Sequence, residues 1–192
     1  PNGLAQEQLL RAALLDAGVS ASEVSYIEAH GTGTALGDPI ETEALRQVYG
    51  EDREADNSLY VSGVKGNIGH LEAAAGIGGI LSAILALQHR QAPPNAQLRE
   101  LNAKVADSVS GSPIEFPREV TALERVGGGR LLAGVSSFGY SGTIAHVVLE
   151  EAPEGHGRSA GGNVSAVREG LLWQFGGLVT ADTLPPAERP RS

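Results

Sequence analysis

The chain has 192 residues, 41% of them hydrophobic and 19% charged, which is ordinary for one globular domain with or without a tail. Its formal net charge of −9, with no run of lysine or arginine, excludes the basic surface of a nucleic-acid-binding protein. It contains no cysteine, which excludes disulfides, thiolate metal sites and a cysteine nucleophile on this chain.

The first third of the chain alternates helix and strand signals. Residues 4–16 carry apolar side chains at helical spacing, and Gly18 is placed to end that helix. The β-forming run VSYIEAH predicts a buried strand that ends at His30. A second strand is expected in LYVSGVKGN, residues 59–67, where it enters the glycine-rich loop GNIGH.

A helix start follows the loop GTGTALG. In Asp38-Pro39-Ile40-Glu41, the aspartate can cap the helix and Pro39 fits its first position. Glu41 is expected to reach back to the N–H of the cap, completing a capping box. This helix is expected to run to about Val48.

The longest charge-free run extends from Ala73 to Gln88. It is glycine-rich and shorter than the roughly 20 residues of a membrane span. We interpret it as part of a buried helix from about Leu71 to His89, with a membrane role as the less favoured alternative. Four small residues would let a neighbouring backbone approach it closely: Ala75, Gly76, Gly78 and Gly79.

Shorter β signals follow the long helix. Residues 113–116 predict a short extended piece, and residues 130–139 and 143–151 predict the two strands of a hairpin. Helices that alternate with strands in this way predict an α/β fold with helices packed on a sheet.

Two histidines occupy matched positions in the predicted elements. His30 ends a strand and precedes a glycine loop, and His70 follows a strand and a glycine loop at a helix start. Ligand sites in α/β sheets gather at the carboxyl ends of strands, so we expect both rings to face one cavity. The helix after His70 disfavours an imidazolium and favours a neutral ring that donates a hydrogen bond to a developing oxyanion. The glycines that would let a substrate approach the backbone are Gly31, Gly33, Gly66 and Gly69.

Less specific interpretations stay open from the residues alone. Either histidine could be structural, Lys65 could be a solvated or ion-paired lysine, and loop hydroxyls could bond their own backbone. No metal site is predicted, because the two histidines lack an obvious acidic third ligand. His146 lies in a predicted strand and is expected to be structural. GNIGH matches neither common phosphate-binding motif.

Three stretches resemble the β-ketoacyl synthases, and above all the ketosynthase domains of type I polyketide synthases. They are PNGLAQEQLLRAALLDAGVSASEVSYIEAHGTGTALGDPIE, VKGNIGHLEAAAGIGGILSAILALQHRQAPP and SSFGYSGTIAHVVLEE, which cover most of residues 1–151. EAHGTGT and KGNIGH in this order and separation are highly specific to that family. The resemblance implies a thiolase-like α/β fold of two similar halves, in which this chain is the C-terminal half, a mixed sheet with a buried long helix and covering helices.

The resemblance also implies a reaction, the decarboxylative Claisen condensation that elongates polyketide or fatty acid chains. A cysteine takes the growing acyl chain, and the enolate formed by decarboxylation of a malonyl-type thioester attacks it. His30 and His70 match the two histidines that assist decarboxylation and stabilise the enolate. Lys65 matches the lysine that supports the site electrostatically.

Substrate contacts are implied in the same way. The substrates would be carried on the phosphopantetheine of an acyl carrier protein, with no cofactor bound directly. Thr32 and Thr34 match positions that contact the pantetheine arm. Phe138 matches a gating phenylalanine beside the acyl site, followed by Gly139.

The sequence departs from the family pattern at several points. The family's cysteine lies in the first half, which this chain does not contain, so we expect an inactive piece that needs the missing N-terminal half. Ile144 stands where asparagine is usual and Ser141 where glycine is common, which puts the hydrogen bonding of the hairpin in doubt. We expect residues 1–151 to be half of the ketosynthase domain and residues 152–192 to be linker or unassigned tail, with a lone apolar patch at 171–179.

The intact enzyme is expected to be a cytoplasmic homodimer. Two alternatives remain: a non-catalytic ketosynthase-like subunit that shapes a partner's pocket, and a scaffold module without an active site. The intact histidine motifs favour an enzyme over a non-catalytic subunit. The glycine-lined loops argue against a scaffold module.

Overall fold

The computed structural model describes residues 1–152, so the predicted tail and its patch at 171–179 lie outside the described residues. The α-helices are α1 Gly3–Ala17, α2 Gly37–Leu45, α3 Lys65–Ile68, α4 Ala75–His89 and α5 Ala103–Val109. The strands are β1 Val24–Glu28, β2 Leu59–Ser62, β3 Gln91–Ala92, β4 Ile114–Glu115, β5 Thr121–Ala122, β6 Leu132–Phe138 and β7 Ile144–Glu150. Short 3₁₀ turns lie at Ala21–Glu23, Glu72–Ala74 and Val126–Gly128, and a π-helical turn at Arg46–Gly50 continues α2.

A mixed sheet of five strands, in the order β4-β2-β1-β6-β7, forms the middle of the fold. The first four strands of that order are parallel, and β7 is antiparallel to β6. β1 is therefore flanked by the parallel strands β2 and β6, whose carboxyl ends open at the same edge. β3 and β5 form a separate antiparallel pair.

Helices cover both faces of the sheet, which gives the predicted α/β layering. α1 and α2 pack on one face, around the buried side chains of Leu10, Ile27 and Leu45. α4 packs on the other face, against Tyr26 and Val135. β2, β6 and β7 contribute alternate side chains to the two cores, as the strand period of two requires.

α4 approaches the sheet at its small residues, as the sequence predicted. A Cβ added at Gly79 would lie 3.0 Å from the Cγ1 of Val135, and one at Gly76 would lie 3.3 Å from the Oγ of Ser137. Larger residues at these positions would push the helix away from β6.

The prediction that the long helix is buried all round is wrong for one of its faces. Ile77 is 62% exposed, Leu81 56% and Leu85 54%. The residues of α4 that are buried are mostly small, with Leu87 as the one large side chain among them. Ile77, Leu81 and Leu85 form an outward stripe. Glu72–His89 is long and apolar enough to cross a membrane, and 28% of it is buried in this fold. The core helix of a soluble protein can have the same length and composition.

The predicted capping box at the start of α2 is also wrong. α2 begins at Gly37, one residue before the predicted cap, and Leu36 at its N-cap makes no side-chain capping bond. The Gly37 N–H instead donates to the Oγ1 of Thr34 at 3.0 Å, and Asp38 accepts from the Thr34 N–H at 3.3 Å. Glu41 turns away from the helix start, to the loop beside β1.

Other elements follow the sequence more closely. α1 ends at Gly18, which adopts the left-handed conformation with φ of 65°. β6 and β7 form the predicted hairpin, with a continuous ladder from Leu132 opposite Glu150 to Phe138 opposite Ile144, so the unusual residue at 144 does not disturb it. The sequence did not predict α5, β3, β5 or the single helical turn α3 inside the GNIGH segment.

Candidate active site

The carboxyl ends of three adjacent parallel strands bring the predicted site residues together. His30 lies two residues beyond β1, Lys65 lies three residues beyond β2, and Phe138 is the last residue of β6. The fold thus collects these groups at one sheet edge, where α/β proteins bind ligands. His70 reaches the same place by way of α3.

A buried carboxylate holds the backbone at His30. Glu41 of α2 accepts from the His30 N–H at 2.7 Å and from the Gly31 N–H at 2.9 Å. Burial raises the pKa of Glu41 to about 7, against the lowering effect of those two N–H groups. Gly31 and Gly33 have φ of 44° and 74°, a backbone that side-chain-bearing residues rarely adopt. Glu41 was missed as a site residue because its local sequence pattern indicated a helix cap.

The hydrogen bond at His30 Nδ1 defines how this ring presents itself. The backbone N–H of Phe138 donates to Nδ1 at 3.3 Å, so Nδ1 carries no proton and the neutral ring has its proton on Nε2. The Phe138 ring lies against the imidazole, with centroids 5.1 Å apart. Burial, followed by the charges of Lys65 and His70, lowers the pKa of His30 to about 4. The ring is therefore uncharged at neutral pH.

His70 has the same arrangement. Its Nδ1 accepts from the backbone N–H of Glu72 at 3.0 Å, which again leaves Nε2 as the protonated nitrogen of a neutral ring. The His30 and His70 rings lie edge to face, with centroids 5.7 Å apart and planes at 82°. His70 is exposed at this edge, whereas His30 is half-buried. The two rings therefore lie close enough for one small ligand to contact both.

Lys65 contributes a positive charge in a partly buried setting. Burial lowers the pKa of its ammonium, while the carboxylates of Glu28 and Glu41 act in the opposite direction. The positive charge of Lys65 in turn disfavours protonation of His30. The lysine and the two acids thus form one electrostatic group around the histidine.

Of the four residues matched to substrate contacts, Phe138 lies against a site histidine. Thr34 uses its Oγ1 to accept from the Gly37 N–H at 3.0 Å, so its oxygen serves the start of α2. Thr32 is half-buried in the same loop. Phe138 contacts His30, and the Gly139 N–H closes the hairpin loop on the Thr143 carbonyl at 2.6 Å. A role of these residues toward the pantetheine arm stays a prediction.

Two cavities of the described part of the chain lie near and away from the glycine loops. The one near them, of about 470 Å³, is lined by Gly31, Gly33, Gly63 and Gly66, by Glu41 and by residues 95–102. Its lining, taken over residues 1–152, includes neither imidazole. The larger cavity, of about 810 Å³, is lined by Ser25 and an acidic rim and lies at the amino end of β1, away from the histidines. Among residues 1–152, no group of three or more His, Asp or Glu could hold a metal ion.

His146 lies apart from this edge and has a structural environment. It is buried in β7, where its Nε2 is 2.9 Å from the Tyr49 hydroxyl and its Nδ1 is 2.9 Å from the Ser136 hydroxyl. Burial lowers the pKa of His146 to about 4. It links the hairpin to the π-helical turn after α2.

Comparison with known proteins identifies the family of this chain. Residues 1–99 match the β-ketoacyl synthase C-terminal domain family, and the chain belongs to that family. It is 48% identical over 155 residues to erythronolide synthase EryA3 of Saccharopolyspora erythraea, which covers 80% of this chain and 5% of that protein. It is 47% identical over 154 residues to the spectinabilin polyketide synthase system protein NorC of Streptomyces orinoci, covering 80% of this chain and 7% of that protein. The chain thus spans less than a tenth of the length of these two relatives.

Solved structures of ketosynthase domains have the same fold. The ketosynthase from module 6 of the bacillaene synthase of Bacillus subtilis 168 superimposes with a TM-score of 0.72 at 38% identity, covering 80% of this chain and 28% of that chain. An oxazolomycin ketosynthase domain of Streptomyces albus gives a TM-score of 0.72 at 33% identity, covering 80% and 27%. The predicted thiolase-like fold and the resemblance to the C-terminal half of a polyketide ketosynthase are therefore confirmed.

Proposed function

We propose that this chain supplies the C-terminal half of a ketosynthase active site that elongates polyketide chains by decarboxylative Claisen condensation. The observation that carries the proposal is the pair of histidines at one sheet edge. Their rings are 5.7 Å apart, and each Nδ1 accepts a backbone N–H. Two neutral imidazoles that present Nε2–H groups are suited to binding an oxyanion.

The chemistry follows from that donor pair. In a malonyl-type thioester, breaking the bond between the α-carbon and the carboxylate releases carbon dioxide and leaves an enolate with negative charge on the thioester oxygen. Nε2–H donors from His30 and His70 stabilise that oxygen as the charge develops. The positive charge of the Lys65 ammonium also stabilises the negative charge of the enolate. The enolate carbon then attacks the carbonyl of an acyl-cysteine and expels the thiolate.

Substrate delivery is assigned to the loop residues. We propose that an acyl carrier protein presents the thioester on phosphopantetheine, a thin flexible arm. Thr32 and Thr34 of the glycine loop would contact that arm, and Phe138 with Gly139 would border the acyl group. Support comes from the contact of Phe138 with His30, whose ring centroids are 5.1 Å apart.

The nucleophile must come from another segment, because this chain has no cysteine. We propose that an N-terminal half packs on the outward stripe of α4, where Ile77, Leu81 and Leu85 are exposed. Exposed apolar patches of this kind mark interaction surfaces. The isolated chain would then be inactive, and the intact enzyme a cytoplasmic homodimer. Residues 1–151 would be the half-domain and residues 152–192 a linker or unassigned tail.

The test uses the intact ketosynthase that contains this chain, either in one piece or as this chain co-expressed with its upstream half. Malonyl decarboxylation is measured for the wild type, His30→Ala and His70→Ala. Loss of an oxyanion donor typically lowers kcat on the order of 10²–10³-fold, and that fall is expected for each variant. An unchanged rate in both would refute the assignment, and an upstream Gln or Ala in place of the cysteine would indicate a non-catalytic subunit.

A further inference from the structure

A second buried acid lies next to the site and has no part in the chemistry described above. Glu28 is the last residue of β1, and its relative exposure is 0%. Its Oε2 accepts from the hydroxyls of Tyr26 at 2.8 Å and Ser82 at 2.9 Å. Its Oε1 accepts from the backbone N–H of Val64 at 2.6 Å. A buried acid is costly unless it is hydrogen-bonded, and this one has three donors.

The three donors come from three parts of the fold. Tyr26 is on β1 itself, Ser82 is on α4, and Val64 is in the segment between β2 and α3. α4 reaches the carboxylate because it is close to the sheet here: a Cβ at Gly79 would lie 3.4 Å from the Cγ of Glu28. Glu28 therefore ties the strand, the helix and the loop to one point.

The loop contact has a consequence for the site, since Val64 directly precedes Lys65. Fixing the Val64 N–H fixes where α3 begins and hence where the lysine side chain starts. The charges interact as well, because Glu28 opposes the lowering of the Lys65 pKa by burial. The titratable groups that interact with Glu28 are Tyr26 on its own strand and Lys65 at the start of α3. Lys65 also interacts with Glu41.

We propose that Glu28 is a positioning residue for decarboxylation: it holds the segment Val64–Lys65 and so keeps the Lys65 ammonium within electrostatic reach of His30. The inference rests on the proposed ketosynthase function. Glu28 does not touch the substrate and acts only through Lys65.

The main test is Glu28→Gln in the intact ketosynthase, with a malonyl thioester on an acyl carrier protein as substrate. Glutamine keeps the size of the side chain, and its carbonyl can still accept from Val64 while its amide donates to the two hydroxyls. A neutral amide accepts from the Val64 N–H more weakly than a carboxylate does, and it lacks the charge that acts on Lys65. We therefore expect kcat to fall by about tenfold or more at unchanged KM. The alkaline limb of the pH profile is expected to move to lower pH, because a negative charge that raises the pKa of Lys65 is gone. A merely structural role would change the folded fraction and leave both kcat per folded molecule and the limb unchanged.

Two controls separate the possible outcomes. Glu43→Gln makes the same exchange on α2, where Glu43 pairs with Arg46 at 2.7 Å, and wild-type kinetics are expected. His30→Ala in the same assay tests the proposed function itself. A dead His30→Ala beside a Glu28→Gln enzyme with wild-type kcat and pH profile overturns only the inference about Glu28.

A second variant, Ser82→Ala, tests the proposal if Glu28→Gln does not fold. Ser82→Ala removes one of the two hydroxyls that anchor Oε2, so the carboxylate that accepts from the Val64 N–H is held less firmly. For the Ser82→Ala enzyme we expect kcat to be a few-fold lower than that of the wild type, at unchanged KM. Wild-type kcat in a folded Ser82→Ala enzyme overturns the proposal.

Discussion

Acid should weaken the hairpin through His146, and the size of the effect follows from its burial. The pKa of this histidine is lowered from 6.5 to about 4 by burial in the folded chain. Between pH 6.5 and 4, His146 therefore binds a proton in the unfolded state but not in the folded state. The free energy of unfolding consequently decreases as pH falls from 6.5 toward 4. At 1.36 kcal/mol per pKa unit, the full loss is about 3 kcal/mol, of which about 1 kcal/mol is reached at pH 5.5.

The assay compares the wild type with His146→Gln in the intact ketosynthase by urea unfolding at pH 7.5 and pH 5.5. Glutamine can bond both Tyr49 and Ser136 but does not titrate in this range, so the difference between the two proteins isolates the histidine from other acids and bases. We expect the wild type to lose about 1 kcal/mol more than the variant between the two pH values. The matched control is His89→Gln, the same exchange at the exposed end of α4. An equal pH dependence in the wild type and His146→Gln would refute the reasoning.

Two further predictions concern packing. A Cβ at Gly134 would lie 2.6 Å from the Cδ1 of Ile27 and 2.8 Å from the His146 ring, so Gly134→Ala should destabilise the intact domain by about 1–3 kcal/mol. Gly3→Ala, whose Cβ would make an ordinary contact of 3.6 Å, is the matched control, and equal melting temperatures of the two variants would contradict this account. The isolated chain should be poorly soluble and associate through the stripe of Ile77, Leu81 and Leu85, and Leu81→Glu should reduce that association while destabilising the intact enzyme, as checked by light scattering and thermal melting. A monodisperse isolated chain that melts cooperatively as a monomer would contradict it, and vesicle binding by the intact enzyme through the same stripe would favour a membrane instead.

The sequence predicted the elements that have strong local patterns. The first helix, the two buried strands and the hairpin all have periodicity and turn signals within a few residues of one another. The placement of His30 just beyond β1 followed from those elements, whereas His70 lies after α3, which the sequence did not predict. By contrast, α5 is seven residues long, and β3 and β5 are two residues each, so their formation depends on tertiary contacts that a short window does not contain.

The errors at Glu41 and α4 have different physical causes. The spacing Asp38 to Glu41 fits a capping box locally. The loop, however, brings the N–H groups of His30 and Gly31, from 11 and 10 residues earlier, within reach of the Glu41 carboxylate. For α4, composition predicts that the helix is apolar but not what covers each face. Mostly small residues face the sheet, and Ile77, Leu81 and Leu85 are left exposed. Glu28 is likewise defined by contacts 36 and 54 residues away.

The central claim is that two neutral imidazoles offer Nε2–H donors at one sheet edge. Nitrogen NMR of histidine-labelled intact ketosynthase measures the charge and the protonated nitrogen of each ring. The account predicts that His30 is a neutral Nε2–H tautomer at pH 7 and stays neutral until the pH approaches about 4. It also predicts that the neutral form of His70 has its proton on Nε2. An imidazolium at His30 at neutral pH, or a proton on Nδ1 of either ring, would contradict it.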